Sequence, residues 1–164
     1  MTKNYRIYLD VCCLNRPLDD SSQERIRLEA EAVLLIYRKC RIEDWTLISS
    51  EAIEAEVAQT PNKTRSEQIV LALTIAKQKV VLNQTIRLRA TEFVQLGFKP
   101  FDALHIASAE AGDADVMLTT DDRLLRKAAQ YHDRLNVLVN NPAIWLTEIY
   151  HNVGENKNDD SHRN

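Results

Sequence analysis

The feature that most constrains the fold is a regular alternation of short apolar runs with segments of helical spacing. The runs have the length and composition of buried strands and lie at 7–9, 45–48, 80–82, 116–118 and 137–139. Between them, apolar residues recur every three or four positions, as on one face of a helix. Strands that alternate with helices form a mostly parallel sheet covered by helices on both faces. The sequence therefore predicts an α/β fold with three layers.

Residues of special conformation or capping ability mark several helix ends. The pairs Ser21–Glu24 and Thr64–Glu67 have the spacing of capping boxes, and we expect each pair to begin a helix. Ser49 or Ser50 can cap the helix that follows the second apolar run. Gly97 suits the position just after a helix, where a left-handed backbone is common.

Length and composition indicate one ordinary globular domain. The chain has 164 residues, of which 45% are hydrophobic and 27% are charged. No apolar run approaches the roughly 18 residues of a membrane span, and the N-terminus lacks the apolar segment of a signal peptide. We therefore expect a cytoplasmic protein that does not associate with membranes. Residues 1–150 are expected to form the domain, and the polar residues 151–164 a disordered tail.

Charge and cysteine content narrow the functional classes. The net charge of −3 does not favour a simple nucleic-acid-binding module, which usually carries a basic surface. It is compatible with an enzyme whose site consists of carboxylates. The cysteines, Cys12, Cys13 and Cys40, fit neither a disulfide framework nor a zinc-binding spacing, so we expect reduced thiols.

Three acidic residues are placed where an α/β fold carries its chemistry. Asp10 ends the first predicted strand, Asp121 follows the run at 116–118, and Asp102 lies in the first turn of an apolar helix that Pro100 begins. Each alone has an ordinary explanation as a turn or capping residue. Together they would repel, by roughly 3 kcal/mol for two carboxylates about 5 Å apart at an effective dielectric of 20. A hard divalent cation, Mg²⁺ or Mn²⁺, removes this conflict, so the sequence predicts a metal site.

These motifs resemble those of a known family. The strand that ends in Asp10, the segment FDALHIA at 101–107 and the segment LTTD at 118–121 are similar to landmarks of PIN-domain nucleases, which include the VapC-type toxins of toxin–antitoxin pairs. The resemblance spans about residues 5–147. It implies a PIN-like three-layer sandwich and a divalent-metal-dependent endoribonuclease acting on single-stranded or structured RNA. It also implies a small antitoxin partner and a homodimer.

The resemblance assigns the catalytic and metal-binding roles to four acids, which are Asp10, Glu56, Asp102 and Asp121. The second of these is the least determined, because the predicted helix at 49–57 also carries Glu51 and Glu54. The family usually places this acid just before a core-facing apolar residue, which favours Glu56 and leaves Glu54 as the alternative. Cys12 departs from the family, since many relatives have a hydroxyl or amide residue there and a thiol is a poor ligand for Mg²⁺.

Other residues near these acids have two interpretations. His105 lies three residues after Asp102 and is either a general base or, as we favour, a buried histidine that orients its neighbours. Arg16, Lys99 and Arg123 are predicted to contact RNA phosphates, although solvated surface charges would look the same.

Three other functions were considered. The interval between Cys12 or Cys13 and Arg16 is too short for the phosphate loop of a cysteine phosphatase. An aspartate phosphatase would need a second Asp at position 12. A catalytically inactive PIN-like module that only binds protein or RNA remains the alternative, but it would have no reason to keep mutually repelling carboxylates together.

Overall fold

The computed structural model of the protein describes residues 3–159. Its centre is a five-stranded sheet in the order β3-β2-β1-β4-β5, in which all neighbouring strands are parallel. The strands are β1 (Arg6–Leu9), β2 (Thr46–Ser50), β3 (Gln78–Val80), β4 (Val116–Leu118) and β5 (Leu138–Asn140). Ile7 of the central strand lies between Leu47 of β2 and Val116 of β4. The predicted mostly parallel sheet is confirmed.

Helices connect the strands and form the outer layers. They are α1 (Val11–Asn15), α2 (Glu24–Arg41), α3 (Glu51–Ala58), α4 (Lys63–Ala72), α5 (Gln84–Gln95), α6 (Pro100–Ala111), α7 (Asp122–Gln130) and α8 (Pro142–Asp159). Three short 3₁₀ turns lie at Arg16–Leu18, Leu73–Ile75 and His132–Arg134. Helix α2 packs on α8, and α6 packs on α3 and α5. The α/β fold predicted from the alternating pattern is confirmed.

The core lies on both faces of β1 and β4. Ile7, Tyr8 and Leu9 of β1 and all three residues of β4 are at most 1% exposed. A parallel strand covered on both faces must be apolar throughout, which is why these segments appear in the sequence as continuous runs. Helix α6 is also buried along most of its length, as its all-round apolar composition predicted.

The helix signals were only partly correct. Ser50 caps α3 by accepting a hydrogen bond from the Ile53 N–H at 3.0 Å, and Gly97 follows α5 with a φ of 98°. The two predicted capping boxes are wrong. Asn62 caps α4 instead of Thr64. The Asn62 side chain accepts a hydrogen bond from the Arg65 N–H at 3.1 Å.

At the other predicted box, the side chain of Asp20 accepts from the Ser22 N–H at 3.0 Å and holds the loop in a turn. Ser21 therefore does not cap α2, which begins at Glu24 after Gln23.

Several boundaries also differ from those predicted. β3 ends at Val80, where the predicted run began, because its pairing with β2 extends from Gln78 to Val80. The segment after Asp10 is not an open loop, since the Asp10 side chain accepts from the Val11 N–H at 2.7 Å and caps α1.

The last helix is longer than the sequence suggested. It continues past Tyr150, so residues 151–159 are helical and do not form the predicted disordered tail, while residues 160–164 lie outside the described part. Trp145, Leu146 and Ile149 anchor its first half in the core. Once these turns are fixed, each further residue adds a helical hydrogen bond without a new nucleation cost. In residues 3–159, no helix has the length and apolar character needed to span a membrane.

Candidate active site

The candidate site lies at the carboxyl end of the sheet, where the direction of the chain crossovers reverses. The chain leaves β1 toward β2 and β3 on one side, and later returns to place β4 on the other side. Such a reversal leaves a crevice between the two inner strands, which is the usual ligand-binding position in open α/β sheets. Asp10 follows β1 and Asp121 follows β4, so both predicted acids are delivered to this crevice.

Asp10 is held by hydrogen bonds from the start of α1 and from the residue that follows β4. It is 5% exposed, and its Oδ1 accepts from the Val11 N–H at 2.7 Å. Its Oδ2 accepts from the Thr119 hydroxyl at 2.9 Å and from the Cys12 thiol at 3.3 Å. These bonds fix the orientation of the carboxylate before any ligand arrives.

Thr119 supplies a hydroxyl group that the sequence analysis did not assign to the site. It is fully buried, donates to Asp10 and accepts from the Asp121 N–H at 3.2 Å. The Cys12 sulfur lies 3.2 Å from the same hydroxyl and accepts from the Thr120 N–H at 3.3 Å. The thiol that departs from the family pattern thus joins α1 to the segment after β4, and the hydroxyl beside Asp10 comes from that segment.

Of the three glutamates on α3, Glu56 is the one that reaches the crevice. Glu51 accepts from the Leu82 N–H at 3.2 Å, and Glu54 forms an exposed ion pair with Lys79 at 3.2 Å. The Glu56 Oε2 lies 2.5 Å from the Nε2 of His105.

His105 is fully buried and lies at the centre of the site. Its Nε2 is 3.7 Å from the Asp10 Oδ1, and its Nδ1 is 2.7 Å from the Tyr8 hydroxyl. Burial disfavours its charged form, but the hydrogen bond to Glu56 and the charge of Asp10 outweigh this and raise its pKa. Potential ligand atoms of Asp10, Glu56 and His105 all lie within 4.8 Å of one another. The sequence analysis did not include His105 among the possible ligands, although a lone histidine on an apolar helix beside Asp102 was a signal for it.

Asp102 and Asp121 lie at the edge of this compact group. The carboxyl of Asp102 has its pKa raised from 3.8 to about 6, first by burial and then by the charges of Asp10 and Asp121. Asp121 caps α7 by accepting from the N–H groups of Arg123 at 2.9 Å and Leu124 at 3.3 Å. Neither belongs to the group whose atoms lie within 4.8 Å.

The four acids nevertheless share one electrostatic environment. The charges of Asp10, Asp121 and Glu56 all raise the pKa of Asp102. Among the side chains that the structure describes, no Lys or Arg pairs with any of the four. His105 is the titratable cation beside them, at 2.5 Å from Glu56 and 3.7 Å from Asp10. Carboxylate oxygens are the donors that a hard divalent cation prefers, so these residues fit Mg²⁺ or Mn²⁺.

The three predicted RNA-contacting cations have different surroundings. Arg16 donates from Nε to the buried Glu29 at 3.1 Å and from a terminal nitrogen to Asp19 at 3.1 Å. It therefore has an internal role that the sequence analysis missed. Lys99 and Arg123 are exposed at the starts of α6 and α7, beside Asp102 and Asp121 respectively.

An open cavity of about 560 Å³ adjoins the acids. Its lining includes Cys12, Glu56 and Phe101, together with Arg16, Arg65 and Asp19. The Phe101 ring stacks on His105 with a centroid separation of 6.2 Å. The cavity thus places an aromatic side chain and two arginines, both paired with Asp19, beside Glu56.

Comparison with known proteins agrees with this geometry. A model of the PIN domain family matches residues 7–130, which is about three quarters of the chain. The chain belongs to the PIN-domain family. Its structure is similar to a chain in the crystal structure of VapBC2 from Rickettsia felis bound to a DNA fragment from their promoter, with a TM-score of 0.51 and 16% identity. The match covers 82% of this chain and 98% of that one and concerns the fold alone. No curated protein matches the sequence.

Proposed function

We propose that this PIN-domain protein is a Mg²⁺- or Mn²⁺-dependent endoribonuclease that hydrolyses phosphodiester bonds of single-stranded or structured RNA. The observation that carries the proposal is the convergence of acids at the reversal point of the sheet, where potential ligand atoms of Asp10, Glu56 and His105 lie within 4.8 Å of one another. Burial, and then the charges of Asp10 and Asp121, raise the pKa of the neighbouring Asp102. A divalent cation would relieve the repulsion between these acids and could activate water for phosphodiester hydrolysis.

Each acid has a distinct part in the proposed site. Asp10 and Asp102 would be direct ligands, and Glu56 and Asp121 would complete the set directly or through water. When bound, a divalent ion supplies a Lewis acid for a phosphoryl oxygen and lowers the pKa of a bound water. The fixed orientation of Asp10 limits the reorganisation that binding requires, since its carboxylate is already held by Val11 and Thr119.

The proposed reaction is a direct hydrolysis. The water oxygen forms a bond to phosphorus while the bond from phosphorus to the 3′ oxygen breaks, and the 3′ oxygen leaves as a hydroxyl group. The products are a 5′-phosphate and a 3′-hydroxyl, without a covalent enzyme intermediate. A reaction driven by His105 as a base on the 2′-hydroxyl would instead leave a 2′,3′-cyclic phosphate, so the product ends distinguish the two chemistries.

The cavity beside Glu56 is the proposed path of the RNA strand. Its aromatic side chain, Phe101, offers a face for a base, and Arg65, which pairs with Asp19, also lines it. The exposed side chains of Lys99 and Arg123 are placed to contact phosphates on either side of the acids.

The substitution Asp10→Asn tests the proposal. It keeps the shape of the side chain and removes the charge, so we expect the fold to persist and EDTA-sensitive cleavage of single-stranded RNA to fall by more than about 100-fold. Loss of groups that merely support a ligand already costs about 10–100-fold. Glu54→Gln is the matched control, because it makes the same kind of charge change on an exposed acid paired with Lys79. Cleavage by the Asp10 variant at the wild-type rate would show that Asp10 is not a ligand.

We also propose that the enzyme is the toxin of a toxin–antitoxin pair, acts in the cytoplasm and forms a homodimer. The support is the fold shared with a chain of the VapBC2 structure, together with PIN-family membership. A small partner protein encoded next to this chain should copurify with it and suppress cleavage. A chain that is not toxic and has no such neighbour would contradict the toxin role, and a strictly monomeric mass by light scattering would contradict the dimer.

A further inference from the structure

A buried chain of hydrogen bonds runs from the end of β2 to the Glu56 carboxylate. The Tyr8 hydroxyl lies 2.7 Å from Ser50 Oγ and 2.7 Å from His105 Nδ1. The Nε2 of His105 then lies 2.5 Å from the Glu56 Oε2. Tyr8, Ser50 and His105 are each 0% exposed, so water does not compete for these bonds.

The donors and acceptors give this chain one direction. Ser50 Oγ accepts from the Ile53 N–H at 3.0 Å, and the only acceptor that its own hydroxyl proton meets among the described residues is the Tyr8 oxygen. An ionised Glu56 can only accept, so Nε2 carries a proton whether the His105 ring is charged or is neutral with Nδ1 accepting from Tyr8. Nε2 therefore donates to Glu56.

Glu56 needs such a partner more than Asp10 does. Its side chain is 34% exposed and has three rotatable bonds, whereas Asp10 is short, buried and held by the backbone. Fixing a free glutamate side chain costs conformational entropy, because its rotamers are lost. The bond to His105 holds Oε2, and Oε1 forms no hydrogen bond within the described part of the chain. One carboxylate oxygen thus remains available to a cation.

We propose that Tyr8 and His105 are positioning residues, which orient Glu56 toward the divalent ion through the Nε2–H of His105 without being ligands themselves. The proposal rests on the metal-dependent function proposed above and assigns the roles of two buried residues in it. It explains why Tyr8 and His105 form a polar contact in the buried part of the protein. Buried polar groups are costly unless each finds a partner, and here the last partner is the candidate ligand.

Binding of Mn²⁺ alone, measured from the EPR signal of the free ion, tests the proposal without RNA. His105→Leu removes the donor, and Tyr8→Phe removes only the hydroxyl that fixes the ring. We expect both variants to bind Mn²⁺ about 10–100-fold more weakly, the range typical of groups that orient ligands. His105→Gln can still donate an N–H to Glu56, so it should recover part of the affinity. High Mn²⁺ concentrations should restore the cleavage rate of Tyr8→Phe, since its ligands are intact.

Ile106→Val is the matched control for stability. Ile106 is fully buried beside His105 on α6, and the substitution removes one methylene without touching the hydrogen-bond chain. It should lower thermal stability but leave Mn²⁺ affinity unchanged. If Tyr8→Phe and His105→Leu bind Mn²⁺ as tightly as the wild type, the positioning role is wrong. Direct ¹⁵N hyperfine coupling from labelled histidine to the bound Mn²⁺ would also overturn it, since His105 would then be a ligand.

Asp10→Asn separates this inference from the proposed function. If the Asp10 variant loses Mn²⁺ binding and the Tyr8 and His105 variants do not, only the positioning role fails. If the wild type and the Asp10 variant bind Mn²⁺ equally, the metal site itself is wrong and the positioning role fails with it.

Discussion

Asp102 should make the protein less stable in its metal-free form. The folded state raises the pKa of this carboxyl from 3.8 to about 6, so folding disfavours its ionised form. Between these two values the unfolded chain has already released a proton that the folded protein retains. Stability is therefore lost as the pH rises from about 4 to about 6, and the full penalty is present above pH 6. Asp102→Asn removes the charge and should remove the penalty.

The size of the effect follows from the shift. A pKa difference of this size corresponds to roughly 3 kcal/mol in the free energy of unfolding, because one pKa unit is about 1.36 kcal/mol. The side chain is only half-buried, and solvent screening reduces the value to about 1–2 kcal/mol. For a domain of this length, about 1 kcal/mol corresponds to about 2–4 °C in Tm. Asp102→Asn should therefore melt several degrees above the wild type at pH 8.

Thermal unfolding in EDTA at pH 8 and pH 4 measures this prediction. The variant should be more stable at pH 8, and the difference should largely vanish at pH 4, where both proteins are close to neutral at this position. Added Mn²⁺ should raise the Tm of the wild type more than that of the variant.

Asp122→Asn is a matched control for this prediction. Asp122 is exposed, and its bidentate pair with Arg25 lowers its pKa, so removing its charge should not stabilise the protein. If Asp102→Asn gains no stability over the wild type at pH 8, the acids are compensated in some other way. The argument for a cation drawn from their repulsion would then be wrong.

Two further predictions concern stability away from the acids. Glu29 is 2% exposed and accepts from Arg16 and from Asn141. Glu29→Gln removes the buried negative charge and weakens these hydrogen bonds, while Arg16 keeps its pair with Asp19, so the variant should lose about 1–3 kcal/mol of stability in urea denaturation. Wild-type stability of the variant would contradict this. Gly97 has a φ of 98°, and an added Cβ would lie 2.7 Å from the Lys127 Nζ. Gly97→Ala should therefore cost about 1–2 kcal/mol of stability in the same assay. An unchanged denaturation midpoint would show that the turn tolerates a side chain.

The sequence was sufficient to predict the fold because its strongest signals are local. Apolar runs of strand length and helical spacing are properties of neighbouring residues, and the run at 116–118 matches β4 at both ends. The acid at the end of β1 could be recognised for the same reason. Helix boundaries for which two nearby side chains could serve as the cap were predicted less well. At α4, Asn62 caps the helix in place of Thr64.

The supporting contacts of the site could not be predicted from spacing. Tyr8 and His105 are 97 positions apart, and Thr119 lies 109 positions from Asp10. Each residue has an ordinary local explanation, as a strand, helix or loop residue. Their shared role follows only from the pairing of β1 with β4 and the packing of α6 against them, which depend on the tertiary structure.

The strand order also determines when the site can exist. β1 is synthesised first but pairs with β4, whose last residue is Leu118, and the fourth acid follows at position 121. A growing chain that has produced Asp10, Glu56 and Asp102 still lacks the strand that holds Asp10 in place through Thr119. At synthesis rates of about 5–20 residues per second, the 109 positions from Asp10 to Thr119 take about 5–20 seconds. The protein is therefore made in a form without an assembled site, and the site forms only when the last third of the chain folds onto the first strand.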